Sequence, residues 1–122
     1  MVTYAAARRL ALSFPEATEE PHFDLGSFRV RGKIFVTVPD RQHFRVFVDE
    51  HESRAAAAED PDAFERLWWG KKLSGLSVTL AAVERDRLAE LLDDAWRRKA
   101  PKRLAAGYAG PAVRRSPRTP AP

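Results

Sequence analysis

The chain contains no cysteine, a single methionine and no long hydrophobic run. Without cysteine it cannot form disulfides, thiolate metal sites, iron–sulfur clusters or a cysteine nucleophile, and it is compatible with a reducing compartment. No apolar run approaches the roughly 18 residues of a membrane-spanning helix, and the N-terminus lacks a basic segment followed by an apolar stretch. We therefore expect a cytoplasmic protein with no membrane partner.

The sequence also lacks the motifs of common catalytic sites. No nucleophile elbow, phosphate-binding glycine loop or dinucleotide fingerprint occurs. Glu19 and His22 have a Glu-x-x-His spacing, but Pro21 lies between them and disfavours the helix that would direct both side chains at a metal. We expect no metal, no cofactor and no enzymatic activity. The weakest alternative is an enzyme that uses His22 with Glu19 or Glu20 as acid and base.

Positive charge is concentrated toward the C-terminal end of the chain. The 122 residues are 44% hydrophobic and 31% charged, which is typical of one soluble globular domain. Eight of the 21 lysines and arginines follow Asp94, and no acid does. The first 94 residues combine the other thirteen cations with all seventeen acids, a net charge of −4. Attraction to nucleic acid must therefore come from local clusters or from the C-terminal segment.

Apolar residues at helical spacing predict three helices. Thr3 caps the first, whose apolar stripe runs from Tyr4 to Phe14. The alanine-rich segment Glu50 to Glu59 suits a short second helix. The stripe from Leu88 to Trp96 predicts a third helix, from about Glu84 toward Pro101, with Trp96 in the core.

Alternating apolar residues predict five strands. Phe28 and Val30 begin a three-stranded meander with turns near Arg31-Gly32 and at Pro39 to Gln42. A second hairpin is predicted around Gly70 to Gly75, and the segment Pro15 to Leu25 is interpreted as a connecting loop.

The predicted order is α-β-β-β-α-β-β-α. An antiparallel sheet with helices packed on one face would bury every apolar stripe, so the predicted fold class is a two-layer α+β domain. We place this domain at residues 1–108, expect it to be a monomer, and interpret residues 109–122 as a flexible tail rich in proline and arginine.

Cations and aromatic residues alternate along the meander. Strand alternation predicts one basic sheet face, turned away from the helices, that carries Arg29, Arg31, Lys33, Phe35, His43, Arg45 and Phe47. Cations neutralise phosphates and exposed aromatic rings stack on bases, so this pattern suits DNA. On this pattern alone the solvent side of an ordinary antiparallel sheet, with Phe35 and Phe47 packed together, is the more typical interpretation.

The second hairpin resembles the wing of a nucleic-acid-binding domain. Lys71 and Lys72 lie at its predicted tip, although lysines there also keep any exposed hairpin soluble. Trp68 and Trp69 lie beside the tip, and alternation predicts that one of them is core while the other needs a cover or a ligand.

Several segments together resemble the MmcQ/YjbR family. They are Glu19-Glu20-Pro21-His22-Phe23, Ser27 to Phe35, the region of Pro61 and Phe64, Ser77 to Leu80, and Ala95-Trp96-Arg97 with Ala100-Pro101, and they span roughly Leu10 to Leu104. The resemblance implies a small bacterial α+β domain of secretion-chaperone-like or frataxin-like appearance. It also implies DNA binding through two β wings, one at the tip around Arg31-Gly32-Lys33 or at Pro39 to Gln42 and the other around Gly70 to Gly75, with no known cofactor or established catalytic site. One departure is that Gly75 is followed by Leu76 and Ser77, where many relatives have tryptophan and valine.

We therefore predict a non-enzymatic DNA-binding module for duplex DNA with little base specificity. Stacking is assigned to Phe35 or Trp69 and phosphate contact to Arg29, Arg31, Lys33, Arg41, Arg45, Lys71 and Lys72, extended by Arg97, Arg98, Lys99, Lys102 and Arg103. The alternative is a domain that binds a planar aromatic small molecule or a protein partner through a concave site formed by His22, Trp68 and Trp69.

Overall fold

The computed structural model describes residues 1–22 and 25–109, without the side chain of His22. The described elements follow the order α1 (Tyr4–Leu12), β1 (Ala17–His22), β2 (Leu25–Val30), β3 (Lys33–Asp40), β4 (His43–Val46), α2 (Glu50–Glu59), β5 (Phe64–Trp69), β6 (Lys72–Thr79), α3 (Arg85–Lys99) and α4 (Lys102–Ala106). None of the helices in the described ranges is long and apolar enough to cross a bilayer.

The six strands form one open antiparallel sheet in the order β1-β2-β3-β4-β6-β5. Helix α3 packs across β3 and β4, and α2 packs on β5 and β6. The core lies between these helices and the sheet, and Phe28, Phe44, Leu76 and Trp96 are fully buried in it. The predicted α+β class with an antiparallel sheet is confirmed, and Trp96 is core as predicted.

The local signals for helix ends and tight turns agree with the structure. The hydroxyl of Thr3 accepts a hydrogen bond from the backbone N–H of Ala6, and the Asp49 carboxylate accepts one from Glu52. Arg31 and Gly32 both have positive φ, 51° and 80°, as a two-residue hairpin turn requires. These interactions are local in sequence, which is why the sequence alone reveals them.

Strand β1 corrects the prediction of a loop from Pro15 to Leu25. Its residues pair with β2 from Ala17↔Val30 to His22↔Leu25. The segment carries no apolar alternation because it is an edge strand, and an edge position also tolerates Pro21, which cannot donate a backbone hydrogen bond. Helix α4 is a second element that the sequence did not predict.

A bulge in β3 changes which side chains share a face. Phe28 pairs with Val36 whereas Arg29 pairs with Ile34, so Phe35 is an extra residue in β3. Such a residue reverses the alternation on either side of it. Simple alternation from Ile34 to Val38 was therefore the wrong interpretation of this strand.

Strand β6 approaches β4 too closely for any side chain at Gly75. A Cβ atom there would overlap the backbone oxygen of Val46 and lie 3.1 Å from Cα of Phe47. Glycine is therefore required for β4 and β6 to pair near the end of the sheet.

Candidate functional site

The predicted basic sheet face is only partly present. Cross-strand partners project from the same face of a sheet, and the face turned away from the helices carries one continuous row: Glu20, Ser27, Thr37, Arg45, Ser77 and Glu65. This row has one cation near its centre and a carboxylate at each end. The open face therefore has a mixed charge, which corrects the expectation of a basic surface.

Arg29 lies on this open face but is held against its own strands. Its Nε donates to Oγ of Ser27 at 3.1 Å, and its Nη2 donates to the backbone oxygen of Pro21 at 3.1 Å. One of these bonds lies within β2 and the other joins β2 to β1. Arg29 therefore stabilises the edge of the sheet in this structure.

Phe35 is fully buried, which corrects its predicted position as an exposed stacking residue. Its ring meets Phe14 edge to face with centroids 6.3 Å apart, and Phe14 stacks on Trp96 at 5.9 Å. The physical reason is the β3 bulge, which turns Phe35 toward the helices. Phe35 cannot reach a base in this fold.

The same bulge places Lys33 away from Arg29. Lys33 is the partner of the buried Val30, so its side chain projects from the helix-covered side at the end of the sheet. Arg31, at the turn, forms an ion pair with Glu16 through Nε and donates to the other carboxylate oxygen at 3.0 Å. This contact lowers the pKa of Glu16. Neither cation joins the predicted face.

Two of the predicted wing tips, Arg31-Gly32 and the tip around Gly70, lie at the same end of the sheet, whereas the alternative tip at Pro39 to Gln42 lies at the opposite end. Strands β3 and β6 each pair antiparallel with β4, so they run in the same direction and begin at the same end. The Arg31-Gly32 turn precedes β3 and the Gly70-Lys71 turn precedes β6. Because one strand separates β3 from β6, their first residues are roughly 10 Å apart, which is two strand spacings.

Five cations converge at this end, which we call the basic end and define as Lys33, Lys71, Lys72, Arg98 and Lys99. They come from both hairpins and from the last turn of α3. Burial lowers the pKa of the Lys99 ammonium, and the nearby charges of Arg98, Lys33 and Lys72 lower it further. Within the described residues none of the five forms an ion pair. Like charges are therefore held together here without direct neutralisation.

The basic end borders a small concavity that has acidic residues on its other side. The concavity has a volume of about 270 Å³, and its charged lining residues are Lys72, Arg98, Lys99, Asp49 and Glu50. Asp49 is already used as the N-cap of α2. The acids limit the positive surface on the side of α2 and leave it open toward the two hairpin tips.

Two arginines that were predicted to contact phosphate, Arg97 and Arg41, have partners within the protein. Arg97 donates to Asp93 and to the backbone oxygens of Ala105 and Tyr108, so it joins α3 to the C-terminal segment. Arg41 lies in the turn between β3 and β4, at the opposite end of the sheet, with its guanidinium 4.8 Å from the ring centroid of Tyr4. The structure thus separates both residues from the basic end.

The remaining predicted cations lie on α4 and on the open face. Lys102 and Arg103 are exposed on α4, and Arg103 lines a second concavity of about 680 Å³ together with Arg31, Leu104 and Tyr108. Arg45 is half-buried in the centre of the open face. Arg103 thus adds positive charge beside the Arg31-Gly32 turn, and Arg45 adds it on the open face.

The alternative site formed by His22 with Trp68 and Trp69 is not assembled. His22 belongs to β1 and the tryptophans to β5, which are the two opposite edges of the sheet. Five strand spacings, roughly 24 Å, separate these edges. No single concave site can use all three residues in this fold, so the expectation of a shared site is corrected.

Sequence reasoning identified every cation of the basic end but not its assembly. The missing step was the pairing of both hairpins with β4, which brings Lys33 and Lys72 together across it. The sequence does contain one signal of this assembly: each hairpin turn directly precedes a strand whose first residue is a lysine, Lys33 in β3 and Lys72 in β6.

Comparisons with known proteins agree with this architecture. The model of the YjbR family matches residues 12–98, and none of the curated proteins matches. The structure is similar to the crystal structure of protein DR2400 of Deinococcus radiodurans, a DUF419-domain protein, with a TM-score of 0.67 and 20% sequence identity. The similarity covers 79% of this chain and 77% of that one and, at this identity, shows a shared fold. Because the family model spans most of the described residues, the chain belongs to the YjbR family.

Proposed function

We propose that the protein is a non-enzymatic DNA-binding module that holds the phosphate backbone at the basic end. The observation that supports this function is the convergence of Lys33, Lys72, Arg98 and Lys99 from three separate segments of the chain. Holding like charges together costs free energy unless an anion offsets their repulsion. A polyanion provides that compensation.

The arrangement suits a nucleic-acid backbone better than a single small anion. Duplex DNA carries one charge per roughly 1.7 Å of its axis, so it presents many phosphates to cations that are spaced over about 10 Å. The two hairpin tips, at Arg31-Gly32 and Gly70-Lys71, act as the two β wings that the family resemblance implies.

We expect little base specificity from this site. Lysine is a point charge on a flexible stem, and bidentate reading of a base edge needs an aimed arginine or amide. The one arginine of the basic end, Arg98, already donates from Nη1 to the backbone oxygen of Phe47 at 2.5 Å. Binding should therefore be salt-dependent and of the order of 10⁻⁴ to 10⁻⁶ M, the usual range for nonspecific contacts.

The test is a titration of labelled duplex DNA with the full chain at several salt concentrations. The variant Lys33→Gln/Lys72→Gln should weaken binding and reduce the magnitude of the slope of log affinity against log salt by about 2, because two phosphate contacts are lost. The matched control is Arg41→Gln/Arg85→Gln, which removes the same charge at the opposite ends of the sheet and of α3.

The control variant should keep most of the slope. If the slope fell equally in both variants, the affinity for DNA would depend only on the net charge of the protein, and the basic end would not be the DNA-binding site. Absence of binding to both duplex and single-stranded DNA by the unmodified chain at low salt would overturn the proposed function.

A further inference from the structure

The β5–β6 hairpin exposes two tryptophans next to the basic end. Trp69 is 81% exposed and Trp68 is 47% exposed, whereas Trp96 is fully buried. An exposed tryptophan presents a large apolar ring to water, and tryptophan is enriched at surfaces that contact a partner. Both lie within four residues of Lys71 and Lys72 at the hairpin tip.

The two rings differ in their surroundings. Trp68 lies near Arg54 and Arg66, whose guanidinium carbons are each 5.9 Å from its ring centroid. Trp69 is its neighbour on the same strand and therefore projects from the other side of the hairpin. In the described part of the chain, Trp69 has no aromatic or guanidinium neighbour of this kind. Among the described residues, nothing stacks on its ring faces.

Trp69 is also the residue that lies directly beside a cation of the site. Its cross-strand partner is Lys72, and side chains of such partners project together. A phosphate bound at Lys72 thus brings its own nucleotide within reach of the indole of Trp69. Trp68 pairs instead with the buried Leu73.

We infer that Trp69 stacks on an unpaired base, so that the DNA bound at the basic end is single-stranded or locally unpaired. This inference rests on the proposed function and specifies its substrate class. In an intact duplex the flat faces of the bases are covered by their neighbours, and a ring on a hairpin tip has no free base to meet. A single strand offers both the phosphate for Lys72 and an open base for Trp69.

The test compares two ligands that differ only in their bases. One is a short thymidine single strand, and the other is an abasic phosphodiester strand of the same length, both titrated against the full chain. We expect a preference of roughly 5- to 100-fold for the strand with bases, the range for loss of one stacked base. Trp69→Ala should abolish this preference, and Trp69→Phe should keep part of it.

Trp68→Ala is the matched control, because it removes the same side chain from the adjacent residue. It should keep the preference for bases. The inference is overturned if Trp69→Ala retains the preference, or if both alanine variants lose it equally, which would indicate general damage to the hairpin.

Two further outcomes distinguish this inference from the proposed function. Equal, salt-dependent binding of both strands by the unmodified chain would leave phosphate binding at the basic end intact and overturn the role of Trp69. A blue shift of tryptophan emission with vesicles of anionic phospholipid, absent in Trp69→Ala and without any base preference, would overturn it in favour of a lipid surface. Binding of neither strand nor duplex would overturn both proposals.

Discussion

At the scale of single residues, Asp94 has the least favourable surroundings among the described carboxylates of α3. It is half-buried, and its Oδ2 atom has no hydrogen-bond partner among the residues that the structure describes. Burial raises the pKa of the Asp94 carboxyl, and the charges of Asp49 and Glu52 raise it further, while Arg98 opposes them. The ionised side chain therefore costs the folded state free energy at neutral pH.

The pH dependence follows from the direction of this shift. Between the ordinary pKa of 3.8 and the raised value, the folded chain binds more protons than the unfolded chain. The free energy of unfolding therefore falls as the pH rises through that window. Protonated Asp94 is tolerated at low pH, and ionised Asp94 is destabilising above the raised pKa.

We predict that Asp94→Asn stabilises the protein at pH 7 by about 1 kcal/mol, the low end of the cost of an unsatisfied buried polar group. Urea unfolding at pH 7 and near pH 4 measures the effect, which should shrink at the lower pH. Asp62→Asn, at an exposed carboxylate, is the control and should change little. A loss of stability in Asp94→Asn at pH 7 would contradict this account.

At the scale of elements, Arg97 fixes the C-terminal segment onto α3. Its Nε donates to Asp93 at 3.0 Å, its Nη1 to the Ala105 oxygen at 3.0 Å and its Nη2 to the Tyr108 oxygen at 2.8 Å. The Tyr108 ring meets Trp96 edge to face at 5.2 Å. The five-residue α4 thus depends on one planar guanidinium group.

We predict that Arg97→Ala lowers the free energy of unfolding by about 2 kcal/mol, because several charge-assisted hydrogen bonds are lost together. Arg97→Lys should rescue little, since an ammonium cannot reproduce the fork geometry. Urea unfolding gives the stability, and hydrogen exchange should show faster exchange at the amides of Ala105 and Tyr108.

The DNA titration tests whether Arg97 also contacts phosphate. Its substitution should leave the salt slope close to that of the unmodified chain at temperatures where the variant is folded. A smaller slope with unchanged stability would mean that Arg97 contacts phosphate, as the sequence had suggested.

At the scale of the whole molecule, charge is distributed unevenly. The open sheet face has a mixed charge, the flank beside α2 is acidic, and the basic end brings together five cations, none of which has an ion-pair partner among the described residues. Residues 110–122 lie outside the described ranges and contribute Arg114, Arg115 and Arg118. If the protein binds DNA as proposed, both the basic end and this segment supply positive charge for that binding.

A chain that ends at Ala109 separates these two sources. It keeps Tyr108, which packs on Trp96, whereas a shorter chain ending at Leu104 would remove the oxygens that Arg97 binds. We predict that the chain ending at Ala109 still binds duplex DNA at low salt. Its slope should fall by at most about 3, one for each arginine removed. Complete loss of binding would assign DNA contact to residues 110–122.

The extent of prediction from sequence differs among elements for a physical reason. Helix α2 has the predicted bounds Glu50–Glu59, and the Arg31-Gly32 turn lies where expected, because caps and turns depend on neighbouring residues. Strand β1 was missed because an edge strand needs no apolar alternation. Phe35 was misplaced because a bulge is a property of two paired strands.

The sequence by itself determined the α+β class, the two hairpins, the residue types of the site and the family resemblance, since periodicity, turn chemistry and composition are local. Only the tertiary structure decided which cations meet. The pairing of β3 and β6 with β4 brings together Lys33 and Lys72, which are about 40 positions apart in the chain. A single extra residue in β3 places the Lys33 side chain on the helix-covered side, near Lys99, instead of on the open face. Long-range register has no local signature, and it is what forms the basic end.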